Sequence, residues 1–359
     1  MNKICKTFPI VREIKQLRKE RKLFLEEAIR KFNDEKPIHG SLSDYKKALI
    51  RHRVSYREYM YGYEFWKLNE NERNEFISQR EMWCIYRKVI HKKVRKYLID
   101  KVLFLKTFED FVHRDWIYPL DSTFEAFHDF VSSHDCIAKP LLGDQGKGIF
   151  IINKAEGASN DVGSLYDYCK DKNYLVEERI KECKELEEFH PSSLNTIRVV
   201  TMSGNGNCVI LGALLRMGVN GNFVDNTKAG GIIAVIDVNT GEIITDGIDL
   251  EGNQYKYHPN TQKDIKGFVI PQWDRCVEMC KKASQVIPEN YFTGWDVCIL
   301  SNGKIELIEG NSAPDVDGGI QIPLKKGFKR KIQNYGKEMM GFDPLSLISV
   351  WSRSYKKWD

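Results

Sequence analysis

The rhythm of apolar and polar positions changes near residue 100. Before it the pattern is helical. Residues 10–34 (IVREIKQLRKERKLFLEEAIRKFND) set apolar positions at helical spacing against a charged face. Residues 42–53 predict another helix, capped by Ser41 or Ser43, and residues 70–98 predict one or two more. After residue 100 come short strands parted by glycine turns: CIAKP, GIFII, YLVEE, TIRVVTM, CVILGALLRMG, GIIAVIDV, EIITD, DVCIL and KIELIEG. Asn239-Thr240-Gly241 and Ser203-Gly204-Asn205-Gly206 predict hairpin turns, and helices are expected at 121–134, 161–171, 273–286 and 324–340. Hairpin strands with separate helices indicate an α+β fold built mainly on antiparallel sheets.

Composition narrows the class. A chain of 359 residues, 42% hydrophobic and 29% charged, fits a globular protein of two or three domains. No run approaches the roughly 18 apolar residues of a membrane-spanning helix. The basic opening MNKICKTFPIVREIKQLRKERK lacks an apolar stretch, so no secretory signal is expected. The nine cysteines are scattered. Cys276 and Cys280 suit one helix face better than a zinc knuckle, since no second Cys/His pair accompanies them. Reduced thiols and a cytoplasmic location are the expectation. The net charge of +5 hides an asymmetry: residues 1–100 hold 25 Lys+Arg against 14 Asp+Glu, and the remainder 30 against 36. The first hundred residues are a basic module. Its aromatics, among them Trp83, Tyr86 and Tyr97, read as core, and no nucleic-acid partner is expected.

Chemistry concentrates in residues 294–314, GWDVCILSNGKIELIEGNSAP. Asn302-Gly303 predicts a two-residue type I′ turn. With Ser301 opposite Lys304, Asp296 falls opposite Glu309, and Asn311 shares their face. Two carboxylates that close repel each other unless a cation or proton intervenes. Oxygen-only donors suit Mg²⁺.

A second motif is CIAKPLLGDQGKGIFII, a strand, a glycine loop and a strand. Gly143, Gly146 and Gly148 allow backbone N–H groups to approach a phosphate, and Lys139 can reach it as a point charge. A strand follows where a Walker A loop needs a helix. Tyr174–Ile180 in turn runs an apolar strand into two acids, an arrangement able to present backbone groups to an adenine edge.

In this order, Lys-Pro with its glycine hairpin, the VEE hinge, an Arg on a strand and Asp…Glu-x-Asn, the motifs resemble the ATP-grasp superfamily over residues 100–340. Asn195-Thr196-Ile197-Arg198, Val224-Asp225-Asn226, Gly230-Gly231 and Trp295-Asp296-Val297 are similar to its sugar-transfer associated members from bacterial surface-polysaccharide clusters. The stretch from Arg216 through Asn226 to Gly230-Gly231 also resembles ribosomal-protein glutamate ligases. The resemblance implies two α+β subdomains with mainly antiparallel sheets clamping ATP: residues 99–180 with a glycine-loop lid, and the catalytic part 181–359, after a basic helical module at 1–98. It implies ATP and one or two Mg²⁺ as cofactors. Lys139 would hold the α/β-phosphates, Lys101 would serve the adenine side, and the lid of Gly143, Gln145, Gly146, Lys147 and Gly148 would cover the triphosphate. Glu177, Glu178, Arg179 and Ile180 would line the adenine. Glu182, Glu185 and Glu187 compete for the ribose, and Glu185 stands as the candidate. Asp296, Glu309 and Asn311 would bind the metal.

By the same resemblance, a substrate carboxylate takes the γ-phosphoryl group and an amine then displaces phosphate from the acyl phosphate. Arg216 is expected to stabilise the transferred group, facing an open anionic site rather than an acid such as Asp225, with Arg198 second. Asn226 and Lys228 complete that corner. The leading reading is therefore a carboxylate–amine ligase acting on a sugar- or lipid-linked glycan precursor. The alternative is a kinase phosphorylating a sugar-like hydroxyl, and a third reading is a non-enzymatic scaffold. The basic module is open to contact with an anionic membrane or a glycosyltransferase.

Overall fold

The computed structural model describes residues 22–23, 25–142, 148–158, 161–221, 225 and 230–348. They fall into two compact units, one of residues 1–89 with 315–359 and one of residues 90–314. The boundary expected at 98 thus lies at 89/90. Residues 315–359, expected with the C-terminal subdomain, group with the N-terminal helices.

Long-range polar bonds account for that grouping. The Gln321 side chain accepts from Ile77 N–H at 3.2 Å and donates to Ile77 O at 2.8 Å, and Lys329 pairs with Glu81 at 3.2 Å. Helix Leu42–His52 is capped by Ser41, whose Oγ accepts from Asp44 N–H at 3.1 Å. The expected region 70–98 forms three helices, Glu70–Arg73, Gln79–Val89 and Lys92–Ile99, and the last belongs to the other unit. Of the aromatics expected as core, Tyr86 is buried and Trp83 and Tyr97 are half-buried; Tyr45, Tyr59, Tyr63 and Phe65 are fully buried, whereas Tyr61 is exposed. The helix expected at 324–340 starts at Lys329, because Lys325 at φ 50° ends the turn Ile322–Leu324.

Among the described residues the second unit carries eleven strands: β1 (Trp116–Ile117), β2 (Cys136–Pro140), β3 (Phe150–Ile152), β4 (Tyr174–Glu178), β5 (Ile197–Gly204), β6 (Asn207–Met217), β7 (Ile232–Ile236), β8 (Gly247–Ile248), β9 (Gln254–Tyr255), β10 (Phe292–Ile299) and β11 (Ile305–Asn311). Two antiparallel sheets result, ordered β1-β4-β2-β3 and β11-β10-β5-β6-β7-β8-β9. Helices Phe124–Ser133, Val162–Asp171 and Trp273–Val286 fall where the periodicity places them. On the larger sheet one face is apolar: Ile197, Val199, Ala213, Leu215, Trp295, Val297 and Leu307 join Cys276, Cys280 and Ala283 of helix Trp273–Val286 in a single core. Burial of this face, at roughly 25 cal/mol per Å² of apolar surface, fixes which side chains point the other way.

The turns differ from expectation in an instructive way. Asn205 and Gly206, both at positive φ, form the two-residue turn between β5 and β6, closed by Gly204 opposite Asn207. The β10–β11 turn is not of that kind. Leu300 N–H donates to Lys304 O at 2.8 Å and Gly303 N–H to Leu300 O at 2.8 Å, and of its three loop residues only Gly303 has positive φ. It is a three-residue loop, a type I turn followed by a left-handed glycine. The pairing leaves the turn one residue off the expected register, with Ile299 opposite Ile305 and Val297 opposite Leu307. A bulge then takes up Ile308, and Asp296 returns to a position opposite Glu309.

Candidate active site

The polar face of the larger sheet gathers side chains from four strands. Arg198 is the direct partner of Asp296, and Asp296 of Glu309. Arg216 lies two residues beyond Leu214, the partner of Arg198, so it shares their face. Gly294 stands between Val200 and Asn311 in the same rows. A Cβ there would lie 3.0 Å from Arg198 Cδ and 2.9 Å from Pro314 Cβ, so the missing side chain makes room for the arginine.

Asp296 is the hub. Arg198 reaches it through Nε and, at 2.9 Å, through Nη2, and Arg216 Nη1 bonds it at 2.8 Å. Arg216 also pairs with Asp225 at 3.3 Å. This corrects the expectation that Arg216 faces an open anionic site: it bridges two acids, because an arginine this enclosed needs its charge balanced. Asp225 is fixed in turn by Thr196, whose N–H and hydroxyl both donate to its Oδ2, the former at 3.0 Å. Gly230 at φ 93° and Gly231, where a Cβ would meet Asp225 O at 2.5 Å, let the chain fold back tightly beside Asp225.

Asn311 Nδ2 donates to Glu309 Oε1 at 3.1 Å, so the three expected metal ligands converge. Burial opposes the charge on Asp296, but Arg198 and Arg216 outweigh it and hold the carboxyl at about 2. Glu309 retains solvent-exposed surface yet is densely enclosed by protein. That enclosure, and then the Asp296 charge, raise its pKa. Among the described residues no cluster of three or more His, Cys, Asp and Glu suits a metal. This donor set is two carboxylates and an amide, all oxygen, and adjacent like charges of which one is reluctant to ionise fit Mg²⁺.

The smaller sheet supplies Lys139, and the start of helix Lys101–Thr107 supplies Lys101. Lys139 on β2 pairs with Glu177 on β4 at 2.5 Å, and Lys101 Nζ donates to Pro140 O at 2.9 Å and Leu141 O at 3.1 Å. Burial lowers the pKa of Lys101, and Glu309 is the acid that most opposes this. Glu177, expected to line the adenine, is instead buried between Lys139 and Arg114, whose Nε bonds it at 2.6 Å. Burial disfavours its charge, but the two cations hold it at about 2. The N–H groups of Glu178 and Arg179 are also taken, by Asp115 O at 2.8 Å and Asp135 O at 2.7 Å. Ile180 follows, half-buried. Glu185 is exposed on the short helix Lys184–Glu187 and Glu187 is exposed with it, while Glu182 is buried and accepts from Asn195. Gly148, the last residue of the expected lid, has φ 75°, and its carbonyl accepts from Tyr174 OH at 2.8 Å. Gly143, Gln145, Gly146, Lys147, Asn226 and Lys228 lie outside the described residues. Sequence reading missed Arg114 and Glu306. The available signal was Glu306 within the apolar run KIELI and Arg114 just ahead of the apolar pair Trp116-Ile117.

Residues 71–337 match the family of sugar-transfer associated ATP-grasp proteins. The chain belongs to this family. Comparison with curated proteins finds no match. Among solved structures, the ATP-grasp ligase PsnB complexed with a minimal precursor is similar at 14% identity, over 64% of this chain and 56% of that one, with a TM-score of 0.39. N5-carboxyaminoimidazole synthetase from Staphylococcus aureus complexed with ADP is similar at 13% identity, over 65% and 53% of the two chains, with a TM-score of 0.38. The chain thus spans little more than half the length of these proteins. No helix of the described residues is long and apolar enough to cross a membrane.

For this ATP-grasp chain the raised pKa of Glu309 makes a prediction. With Glu309 as a cation ligand, a proton would compete with the cation for its carboxylate and win as pH falls. ATP turnover should therefore fail on acidification at a pH above the ordinary carboxylate value of about 4.3. Raising Mg²⁺ should shift that limb to lower pH. Rate profiles at two Mg²⁺ concentrations test it, and a limb indifferent to Mg²⁺ counts against the assignment.

Proposed function

We propose that this protein is an ATP- and Mg²⁺-dependent carboxylate–amine ligase acting in surface-glycan or glycan-precursor modification. One observation carries the reading: Asp296, Glu309, Asn311, Arg198 and Arg216 meet on one face of one sheet. The family's description as sugar-transfer associated supports the glycan context.

In this reading Lys139 takes the α/β-phosphates, Lys101 the adenine side, and Gly143–Gly148 cover the triphosphate, with Ile180 at the adenine and Glu185 at the ribose. Asp296, Glu309 and Asn311 hold Mg²⁺, which when bound screens the phosphate oxygens. A carboxylate oxygen of the substrate attacks the γ-phosphorus, the bond to the β–γ bridging oxygen breaks, and ADP leaves. Arg216, then Arg198, with Asn226 and Lys228, stabilise charge on the transferred group. An amine attacks the acyl phosphate and releases phosphate, leaving an amide. The acid and amine are a sugar acid, amino acid or amino sugar, free or lipid-linked. Reduced thiols and a supply of ATP suit the cytoplasm, and the basic first hundred residues suit an anionic membrane surface or a glycosyltransferase.

The test is incubation with ATP, Mg²⁺ and paired acids and amines. Phosphate release that needs both partners, and hydroxamate formation when hydroxylamine replaces the amine, are the expected results. A stable phosphorylated product without hydroxamate would establish the kinase alternative instead.

A further inference from the structure

Arg114 belongs to none of the motifs described, yet its guanidinium has four partners. Nε donates to Glu177 Oε1 at 2.6 Å, Nη1 to Glu306 Oε1 and to Leu307 O at 2.8 Å, and Nη2 to Ile308 O at 3.1 Å. Its side chain is 3% exposed, that of Glu177 2% and that of Glu306 0%. The second oxygens of the two acids are committed as well: Glu177 Oε2 pairs with Lys139 at 2.5 Å, and Glu306 Oε2 accepts from His113 N–H at 2.7 Å.

The carbonyls that Arg114 holds are those of the bulge. Val297 faces Leu307 and Asp296 faces Glu309, so Ile308 is the extra residue and has no opposed partner in the register. A carbonyl left without a ladder partner needs another donor. In the register that leaves the turn, Glu309 would stand opposite Trp295, on the apolar face. The bulge alone turns it toward Asp296.

We propose that Arg114 is a positioning residue that ties the cation-binding strand to the phosphate-binding lysine. One end of the guanidinium fixes the Ile308 bulge and so the pairing of Glu309 with Asp296. The other fixes Glu177, and through it Lys139. This rests on the ligase reading for the roles of Lys139 and Glu309. A planar fork can serve two carbonyls and two acids together, and a lysine ammonium at the same place keeps the charge but not the geometry.

The consequence is that Mg²⁺ and nucleotide binding are coupled through Arg114. The experiment measures the affinity of full-length protein for trinitrophenyl-ATP with Mg²⁺ and with EDTA, for wild type and Arg114→Lys, with circular dichroism following the fold. Wild type should bind more tightly with Mg²⁺, and R114K should lose about tenfold of that advantage. A merely structural role lowers the melting temperature and leaves the ratio unchanged, so a folded R114K with the wild-type ratio overturns the proposal. Should R114K not fold, Glu306→Gln keeps the shape and should lower the ratio by roughly threefold. An unchanged ratio in E306Q is equally fatal. A wild type whose binding ignores Mg²⁺ removes the ligase reading together with this role, whereas failure of the variants alone removes only the role.

Discussion

Replacing Asp296 by asparagine is expected to cut ATP-dependent turnover by about 10³-fold or more, the scale set by removing a preorganised charge from a reacting site. The carboxylate sits at the meeting point of β5, β10 and β11 and takes charge-assisted bonds from two arginines. An amide keeps one acceptor oxygen but no charge, so it can neither balance Arg198 and Arg216 nor serve as an anionic ligand. Breaking a buried ion pair on one side costs about 3–5 kcal/mol. The lower end is expected here, since Arg216 keeps Asp225 as a partner. The pH dependence has a definite sign. Asp296 ionises at about 2 in the folded protein, below the usual aspartate value of about 3.9. Its stabilisation is present above the unfolded value and is lost as pH falls through the folded one. Acid unfolding of wild type should therefore steepen between about pH 4 and 2, and D296N should lack that component. Phosphate-release kinetics and acid titration by circular dichroism measure both effects. Turnover within tenfold of wild type would remove Asp296 from the site.

The pairing of Asp296 with Glu309 was legible in sequence through two departures that cancel. The Asn-Gly pair suggests a tight two-residue turn, and the chain instead forms a three-residue loop that shifts the register by one. Ile308 shifts it back. Alternation alone cannot show a bulge, because an extra residue changes the face of everything after it while leaving composition untouched. The apolar faces, by contrast, were legible, since burial of Trp295, Val297 and Leu307 on one side sends Asp296 to the other. Arg114 and Glu306 were not. They are 192 residues apart, and no local pattern reveals that their charges meet. Glu177 shows the same limit: the strand YLVEE announces a polar end, but which acid turns inward depends on Lys139 and Arg114 from elsewhere in the chain. The motif Asn195-Thr196-Ile197-Arg198 acquires its meaning the same way. Asn195 secures Glu182, Thr196 secures Asp225 and Arg198 secures Asp296, so three of four residues orient acids supplied by other segments.

Arg216→Lys is expected to lower kcat by about 10²-fold with little change in the KM for ATP. The wild-type guanidinium spans Asp225 at 3.3 Å and Asp296 at 2.8 Å. Burial opposes its charge, but these acids outweigh that and raise its pKa further, so it stays cationic at any working pH. In the reading proposed, Asp296 would hold Mg²⁺, and a bond of Arg216 would become available to a phosphoryl oxygen. That exchange uses the fork: one nitrogen stays on Asp225 while another turns to the developing charge. A lysine can satisfy only one such direction at a time. It should therefore preserve ground-state binding of ATP and fail where charge builds in the transition state, which is the pattern of a fall in kcat at constant KM. The structural cost should be modest, about 2 kcal/mol for the lost charge-assisted bond. Arg198→Lys should cost less in kcat, since among the described residues Arg198 commits Nε and Nη2 to Asp296. Steady-state kinetics at saturating acid and amine, with thermal unfolding alongside, separate the outcomes. If R216K kept kcat and lost only thermal stability, Arg216 would be a tether between two acids, and charge stabilisation would have to come from Arg198 or from residues of the β6–β7 connection.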